Sequence, residues 1–322
     1  MNIEQYLSKL PLNITHINLS SKGLKNLPDL SRFLYLTELN CSNNELTIIS
    51  NINSTLQVLD CSNNKITFIC ELPDSLTNLQ CSHNNLKFLP NLNNNLKTLT
   101  CSYNILVQLP NFNNNLLHVY CNYNNLTVLP ELNHNLLVLG CCDNKLEYLP
   151  TLNNNLKLLY CGYNKLNTLP QLNNNLLELY CDGNKITHLP QLNNNLLELI
   201  CNNNKLKCLP KINNNLRKLY CNNNKLYILP TLHVTLNKIE YFHNPVCDVI
   251  SNGLTIVILN NKRKILDKFR FMYFILKYKN KFNKWYWKSQ ENKIKNLYSP
   301  DNLKLLLGDD DDDLEIMKLE TW

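Results

Sequence analysis

Ten cysteines, Cys41, Cys61, Cys81, Cys101, Cys121, Cys141, Cys161, Cys181, Cys201 and Cys221, recur at every twentieth position without a slip. A single globular core does not generate a fixed period of that size. It marks an array in which one small unit stacks on copies of itself, and it decides the architecture before any secondary structure is read. Aligning the blocks gives Leu-x-x-Leu-x-Cys-x-x-Asn-x-Leu-x-x-Leu-Pro-x-Leu-Asn-Asn-Asn. The first Leu runs from Leu36 to Leu236, and the second from Leu39 to Ile239. The Asn column is Asn44, Asn64, Asn84, Asn104, Asn124, Asn144, Asn164, Asn184, Asn204, Asn224 and Asn244.

Each position has a physical reading. Leu39 and Cys41 are two apart, so in a strand both point to one face while Glu38 and Asn40 point to the other. One such strand buries nothing alone; eleven stacked at ~4.8 Å make a parallel sheet with an inner arc of roughly 50 Å. Leu46, Ile49 and Ile52, with their equivalents, complete the apolar filling. The Asn amide carries donors and an acceptor, so the column is expected to be an interior ladder, bonding backbone groups of its own turn and the next. Without it, the bend after each strand would leave buried groups unpaired at ~1–3 kcal/mol each. Pro90, Pro110, Pro130, Pro150, Pro170, Pro190, Pro210 and Pro230 fix φ and remove a donor, which forbids a regular helix on the outer wall and suits extended chain. The Asn triplets, such as Asn93 to Asn95 and Asn153 to Asn155, are read as exposed turns leading into the next strand.

These residues resemble the leucine-rich repeat pattern, Leu-x-x-Leu-x-Leu-x-x-Asn-x-Leu, with Cys in the sixth position. The likeness is to the short bacterial-effector type, whose repeats carry Leu-Pro-x-Leu at the same place. It implies an α/β-type leucine-rich repeat solenoid. The expected parts are a curved parallel β-sheet on the concave face, an extended, polyproline-like convex face and a small helical C-terminal segment. Sixty Asn, no Ala and only 6 Gly point the same way, since the chain lacks its best helix former and is rich in turn formers. Residues 1–12 are read as a cap, 13–250 as a solenoid of about eleven repeats, 251–307 as a basic, aromatic, helical segment and 308–322 as an acidic tail. The first turn fits only with one spacing of 22, pairing Ile17 with Leu39 and putting Lys22 at the ladder position. At the far end Tyr241 replaces Cys.

The column cysteines are read as core, since Cys is small, apolar and readily buried. A zinc site would need four thiols converging on a tetrahedron, whereas these lie in a line. Adjacent turns could just reach the Cα separation a disulfide requires, but an unbroken ladder of such bridges has no physical precedent. Cys70, Cys142, Cys208 and Cys247 lie off the column and are expected to be more accessible. Seven scattered His, no Gly-rich phosphate loop, no His-Glu-x-x-His and no Gly-x-Ser-x-Gly leave catalysis without a motif. The expectation is a non-enzymatic protein with no cofactor and no metal. Effectors with similar repeats carry a ubiquitin-ligase domain with a catalytic Cys beside Asp. Cys247-Asp248 is the nearest counterpart, so a ubiquitin-system adaptor or ligase-like effector is an alternative.

Outward positions form columns along the expected concave sheet. One contains Tyr120, Tyr160, Tyr180 and Tyr220; another contains Tyr103, Tyr123 and Tyr163, with Glu178, Asp182 and Glu198 alongside. Tyrosine offers large contact area at small entropic cost, so these seven are the candidate binding residues for a protein partner. Beyond Val246 the period fails. Residues 262–304 hold thirteen Lys and Arg against three acids, and the last eighteen hold seven acids against one Lys. The stretch Lys264 to Lys288 has helical spacing in Ile265, Phe269, Met272 and Leu276. Lys281 to Trp287, then Tyr298-Ser-Pro and the Asp-rich end, resemble a C-terminal segment of many giant-virus proteins, which implies a mimivirus-like source. Basic residues interleaved with Trp and Tyr could bind nucleic acid or an anionic membrane surface, so a nucleic-acid- or virion-associated protein is the second alternative. The favoured reading of the segment is a capping and partner-binding helix with solvated charges, because acids 309–313 would partly cancel a basic footprint. With no basic leader before an apolar run and no membrane span, the expected location is soluble and intracellular, in host cytoplasm or virion, and not secreted.

Overall fold

The computed structural model describes residues 3–248 and Lys268. A short helix, α1 (Ile3–Ser8), precedes fourteen strands. Twelve form one parallel sheet, one strand per turn. They are β1 (His16–Asn18), β2 (Glu38–Asn40), β4 (Val58–Asp60), β6 (Asn78–Gln80), β7 (Thr98–Thr100), β8 (His118–Tyr120), β9 (Val138–Gly140), β10 (Leu158–Tyr160), β11 (Glu178–Tyr180), β12 (Glu198–Ile200), β13 (Lys218–Tyr220) and β14 (Lys238–Glu240). Their order in the sheet is their order in the chain. The register is in phase throughout: Leu159 pairs with Leu179 and Tyr160 with Tyr180. In the irregular first turn Ile17 pairs with Leu39, so the longer spacing there is taken up outside the sheet.

Each strand of this sheet is three residues long, with its central Leu, Ile or Val turned inward. The Cys column is fully buried from Cys41 to Cys221 and every one of its thiols is free. Together with Leu36, Leu46, Leu56 and their equivalents, all shut off from water, it forms one continuous core. Burial of a single Leu of this kind stabilises by ~1.5–3 kcal/mol, but only because the neighbouring turn covers it. Burial pushes the Cys41 thiol up to about 12 and holds the other column thiols above their ordinary value. At the last turn Tyr241 takes the buried place of Cys, and at the first Leu7 of α1 packs into the same core.

The Asn column repeats one bonding scheme. Asn104 Nδ2 donates to Cys101 O at 3.1 Å and to Cys81 O at 3.0 Å, while its Oδ1 accepts from Leu86 N at 3.0 Å. Asn224 and Asn244 do the same in the last two turns of the sheet. The ladder is therefore interior, as expected, but its amide reaches back to the preceding turn and not on to the next. The reason is polarity: each cysteine carbonyl faces the following turn, so the Asn of that turn fills it.

The triplets are not wholly exposed turns. Their first members, Asn93, Asn133, Asn153, Asn173, Asn193 and Asn213, are buried and make a second ladder. Asn173 Nδ2 donates to Asn153 O at 2.6 Å and to Leu156 O at 3.0 Å, and its Oδ1 accepts from Asn175 N at 2.8 Å. The third member reaches back too, Asn175 Nδ2 to Asn154 O at 2.8 Å. The middle and third Asn are both exposed, and of the two the third is the one whose amide reaches back to the turn before. The first and third Asn are needed because the return bend, like the bend after the strand, leaves carbonyls that the sheet cannot pair.

The convex wall is extended, without a regular helix. Where Pro is absent it gains a two-stranded sheet of its own, β3 (Ile48–Ile49) with β5 (Phe68–Ile69). Ser50 and Cys70 stand at the Pro position there, and Cys70 N donates to Ile49 O at 2.8 Å. From Pro90 onward that donor is missing. The expected helix over Lys264 to Lys288, the acidic tail and the side chains of Cys247 and Asp248 lie outside the described residues.

Candidate protein-binding face

The seven tyrosines occupy two rows, not one sheet surface. Tyr120, Tyr160, Tyr180 and Tyr220 are on strands and half-buried. The sequence pattern puts Tyr103, Tyr123 and Tyr163 at outward strand positions, and the structure corrects this. The strand ends three residues earlier, and they sit in the bend that follows, with φ of 55°, 52° and 50°. The strand is short because the ladder Asn draws the chain inward at the next residue, forcing the residue before it into the left-handed region. Other turns fill that position with Asn43, Asn63, Asn203 and Asn223, also at positive φ. Asn and Gly tolerate that backbone; a bulky side chain is strained there by its Cβ.

In the bend row the rings are the most exposed of the seven, at 44% for Tyr103, 46% for Tyr123 and 54% for Tyr163. His83, Tyr103 and Tyr123 stack face to face, with centroids 4.2 Å apart at each step and planes within 10° and 11°. Stacking occupies the ring faces and turns the edges and hydroxyls outward. The negative charge of Asp143, with a hydrogen bond to Tyr103, pushes the Tyr123 hydroxyl up to about 12. Asp182 acts on Tyr163 in the same direction, and accepts a hydrogen bond from it. Gly183 continues the row with φ +62°, and a Cβ there would lie 2.7 Å from Tyr163 Cδ1, so the ring lies over the glycine.

In the strand row, Tyr160 and Tyr180 rings are 4.8 Å apart and tilted by 50°. Tyr160 donates its hydroxyl to Glu178 Oε2 at 2.8 Å, and Tyr180 to Glu198 Oε2 at 2.9 Å. Burial, then these bonds, hold both phenols protonated well above the ordinary range. Glu198 also pairs with Lys218 at 2.7 Å, whose hydrogen bond lowers its carboxyl. Lys238 Nζ lies 5.0 Å from the centre of the Tyr220 ring. Gly140 interrupts the row: a Cβ there would come within 3.1 Å of Tyr120 Cδ1, so the glycine makes room for the ring. The result is a preset surface of ring edges, phenols and carboxylates running over consecutive turns. His83 and the two glycines were legible only as column members; nothing in the sequence revealed that rings stack or lean over them.

Of the off-column thiols, Cys208 is exposed, while Cys70 and Cys142 are half-buried. Burial raises the Cys142 thiol to about 11, and its backbone N–H is held by Asn122 Oδ1 at 2.8 Å. No helix of the described residues is long and apolar enough to cross a membrane.

The solved structures most like this one include YopM from Yersinia enterocolitica WA-314. It is 33% identical with a TM-score of 0.71, over 73% of this chain and 52% of that one. The chain thus spans about half the length of that YopM. YopM from Yersinia pestis, a leucine-rich effector protein, matches at 28% identity and a TM-score of 0.64, over 73% of each chain. A chain of the octameric complex of Latrophilin 3, Unc5D and FLRT2 (LRR) matches at 20% identity and a TM-score of 0.61, over 72% of this chain and 85% of that one, which shows the fold alone. The architecture is that of a leucine-rich repeat solenoid. No protein-family model matches the sequence, nor does any curated protein.

Proposed function

We propose that this chain, a leucine-rich repeat solenoid similar to YopM, is a non-enzymatic scaffold that binds a protein partner through its two tyrosine rows. One observation carries the reading: Tyr103, Tyr123 and Tyr163 hold a left-handed backbone that Asn occupies in sister turns. A left-handed non-glycine residue costs ~1–2 kcal/mol, and short polar side chains offset part of it by local hydrogen bonds. Stacking returns ~0.5–1.5 kcal/mol per pair, so tyrosine is at best neutral for folding. Residues kept at exposed, strained positions without a folding advantage are candidates for recognition. The three rings also have the chemistry of interface anchors, with large area, few torsions and a hydroxyl at the rim. The FLRT2 leucine-rich repeat domain stands in a multi-protein complex, which fits the same use of the fold.

The source is read as a giant virus, on the strength of the Lys281 to Trp287 pattern and the Asp-rich end of the sequence. Affinity purification from giant-virus-infected cells, followed by mass spectrometry, identifies the partner. Tyr103→Asn, Tyr123→Asn and Tyr163→Asn are then combined, each copying a residue the solenoid already accepts. Binding should weaken by at least tenfold, one decade being about 1.4 kcal/mol, while the melting temperature changes little. A triple variant that binds like the parent overturns the reading.

A further inference from the structure

On the flank next to the concave face, five consecutive turns each present a lysine at the same position: Lys145, Lys165, Lys185, Lys205 and Lys225. All five are exposed. Their backbones are held in line, because each N–H bonds the turn before it: Lys165 N to Leu146 O at 2.8 Å, Lys185 N to Leu166 O at 2.9 Å, Lys205 N to Ile186 O at 2.9 Å and Lys225 N to Leu206 O at 2.8 Å. At the solenoid pitch the five ammonium groups are anchored along a strip of roughly 19 Å.

The fold does not demand lysine here. The same position holds Glu45, Asn85 and Ile105 in earlier turns. Where opposite charges meet across turns in this column they pair, Lys65 Nζ to Glu45 Oε2 at 3.1 Å. None of the five lysines forms an ion pair among the described residues. Like charges anchored ~5 Å apart repel even in water, so the strip opposes folding to a degree that a bound anion would relieve.

We infer that the lysine strip is a docking site for a run of carboxylates, and that its occupant is this chain's own Asp309 to Asp313. Three observations select that segment. It offers five consecutive carboxylates, which in extended form span about 14 Å, the reach of four neighbouring lysines of the strip. The last described residues lie beside the strip: Pro245 holds the next place in the lysine column, and Val246 N donates to Leu226 O at 2.8 Å. The stretch between Asp248 and Asp309 is long enough to reach every lysine even at the ~1.5 Å rise per residue of a helix, and tethering keeps the local concentration of the acids high. The basic residues 262–304 compete for the same acids, and the experiment separates the two.

Zero-length carbodiimide crosslinking of the full-length chain reads the contact directly. At low salt, Asp309 to Asp313 should join Lys165, Lys185 or Lys205 within the monomer, and about 1 M salt should suppress the product, since the screening length falls to ~3 Å. A second readout is the rate of lysine acylation. Neutralising the run in the full-length chain (Asp309→Asn through Asp313→Asn) should speed acylation of Lys185 by roughly fivefold, a factor several exposed ion pairs acting together can supply. Crosslinks confined to lysines of 262–304, or confined to dimers, overturn the proposal; so does an acylation rate indifferent to the neutralised run. Lys165→Gln with Lys185→Gln and Lys205→Gln, all exposed, keeps the fold and should abolish the crosslink.

Discussion

Asparagine does three different jobs in a single turn of this protein. Asn144 caps the bend after the strand: its Nδ2 donates to Cys121 O at 3.0 Å and its Oδ1 accepts from Leu126 N at 3.0 Å. Asn153 holds the return bend through Leu136 O at 3.1 Å and accepts from Leu156 N at 2.7 Å. Asn154 faces water. Alanine at each separates the roles. Asn144→Ala and Asn153→Ala each leave a buried donor and acceptor unpaired, a loss of ~3 kcal/mol against denaturant. Asn154→Ala should stay within ~0.5 kcal/mol of the parent, as exposed substitutions do. Equal losses at Asn153 and Asn154 would refute the second ladder.

At the scale of the strand, three residues settle which side chains meet water. Leu139 and Cys141 are closed off, while Cys142, one step on, is half-buried against Asn122 and Gly162. A thiol reagent under native conditions should therefore modify Cys208 first, Cys70 and Cys142 more slowly, and the column from Cys41 to Cys221 only on unfolding. Mass spectrometry of the labelled peptides gives the order. Thiolate is the reacting species, and burial suppresses it in the column by raising the thiol pKa. Prompt labelling of Cys141 or Cys161 would contradict these strand faces.

At the largest scale the described solenoid is close to one-dimensional, since among the described residues each strand of the main sheet pairs only with those of the adjacent turns. Removing residues 121–140, one full period, should leave a folded solenoid with the same circular dichroism per residue and a lower melting temperature. Removing 121–130 puts strand against wall and should unfold the middle of the array. A full-period deletion no better tolerated than the half-period one would mean that the stack is not modular.

Period, parallel sheet, inward cysteines, inner Asn ladder and the longer first spacing were all legible in the sequence. Each follows from a pattern repeated in phase, and only an interior shared between turns preserves such a pattern. Tertiary structure alone decided the rest. The triplet Asn became a ladder because bends on the return path also leave carbonyls unpaired, a demand invisible until the path is known. Tyr103, Tyr123 and Tyr163 moved from strand to bend because a strand's length is set by where its last backbone bond closes, not by residue preference. Stacked rings and aligned lysines exist only across turns: a full period separates them in the chain, and the solenoid pitch brings them side by side.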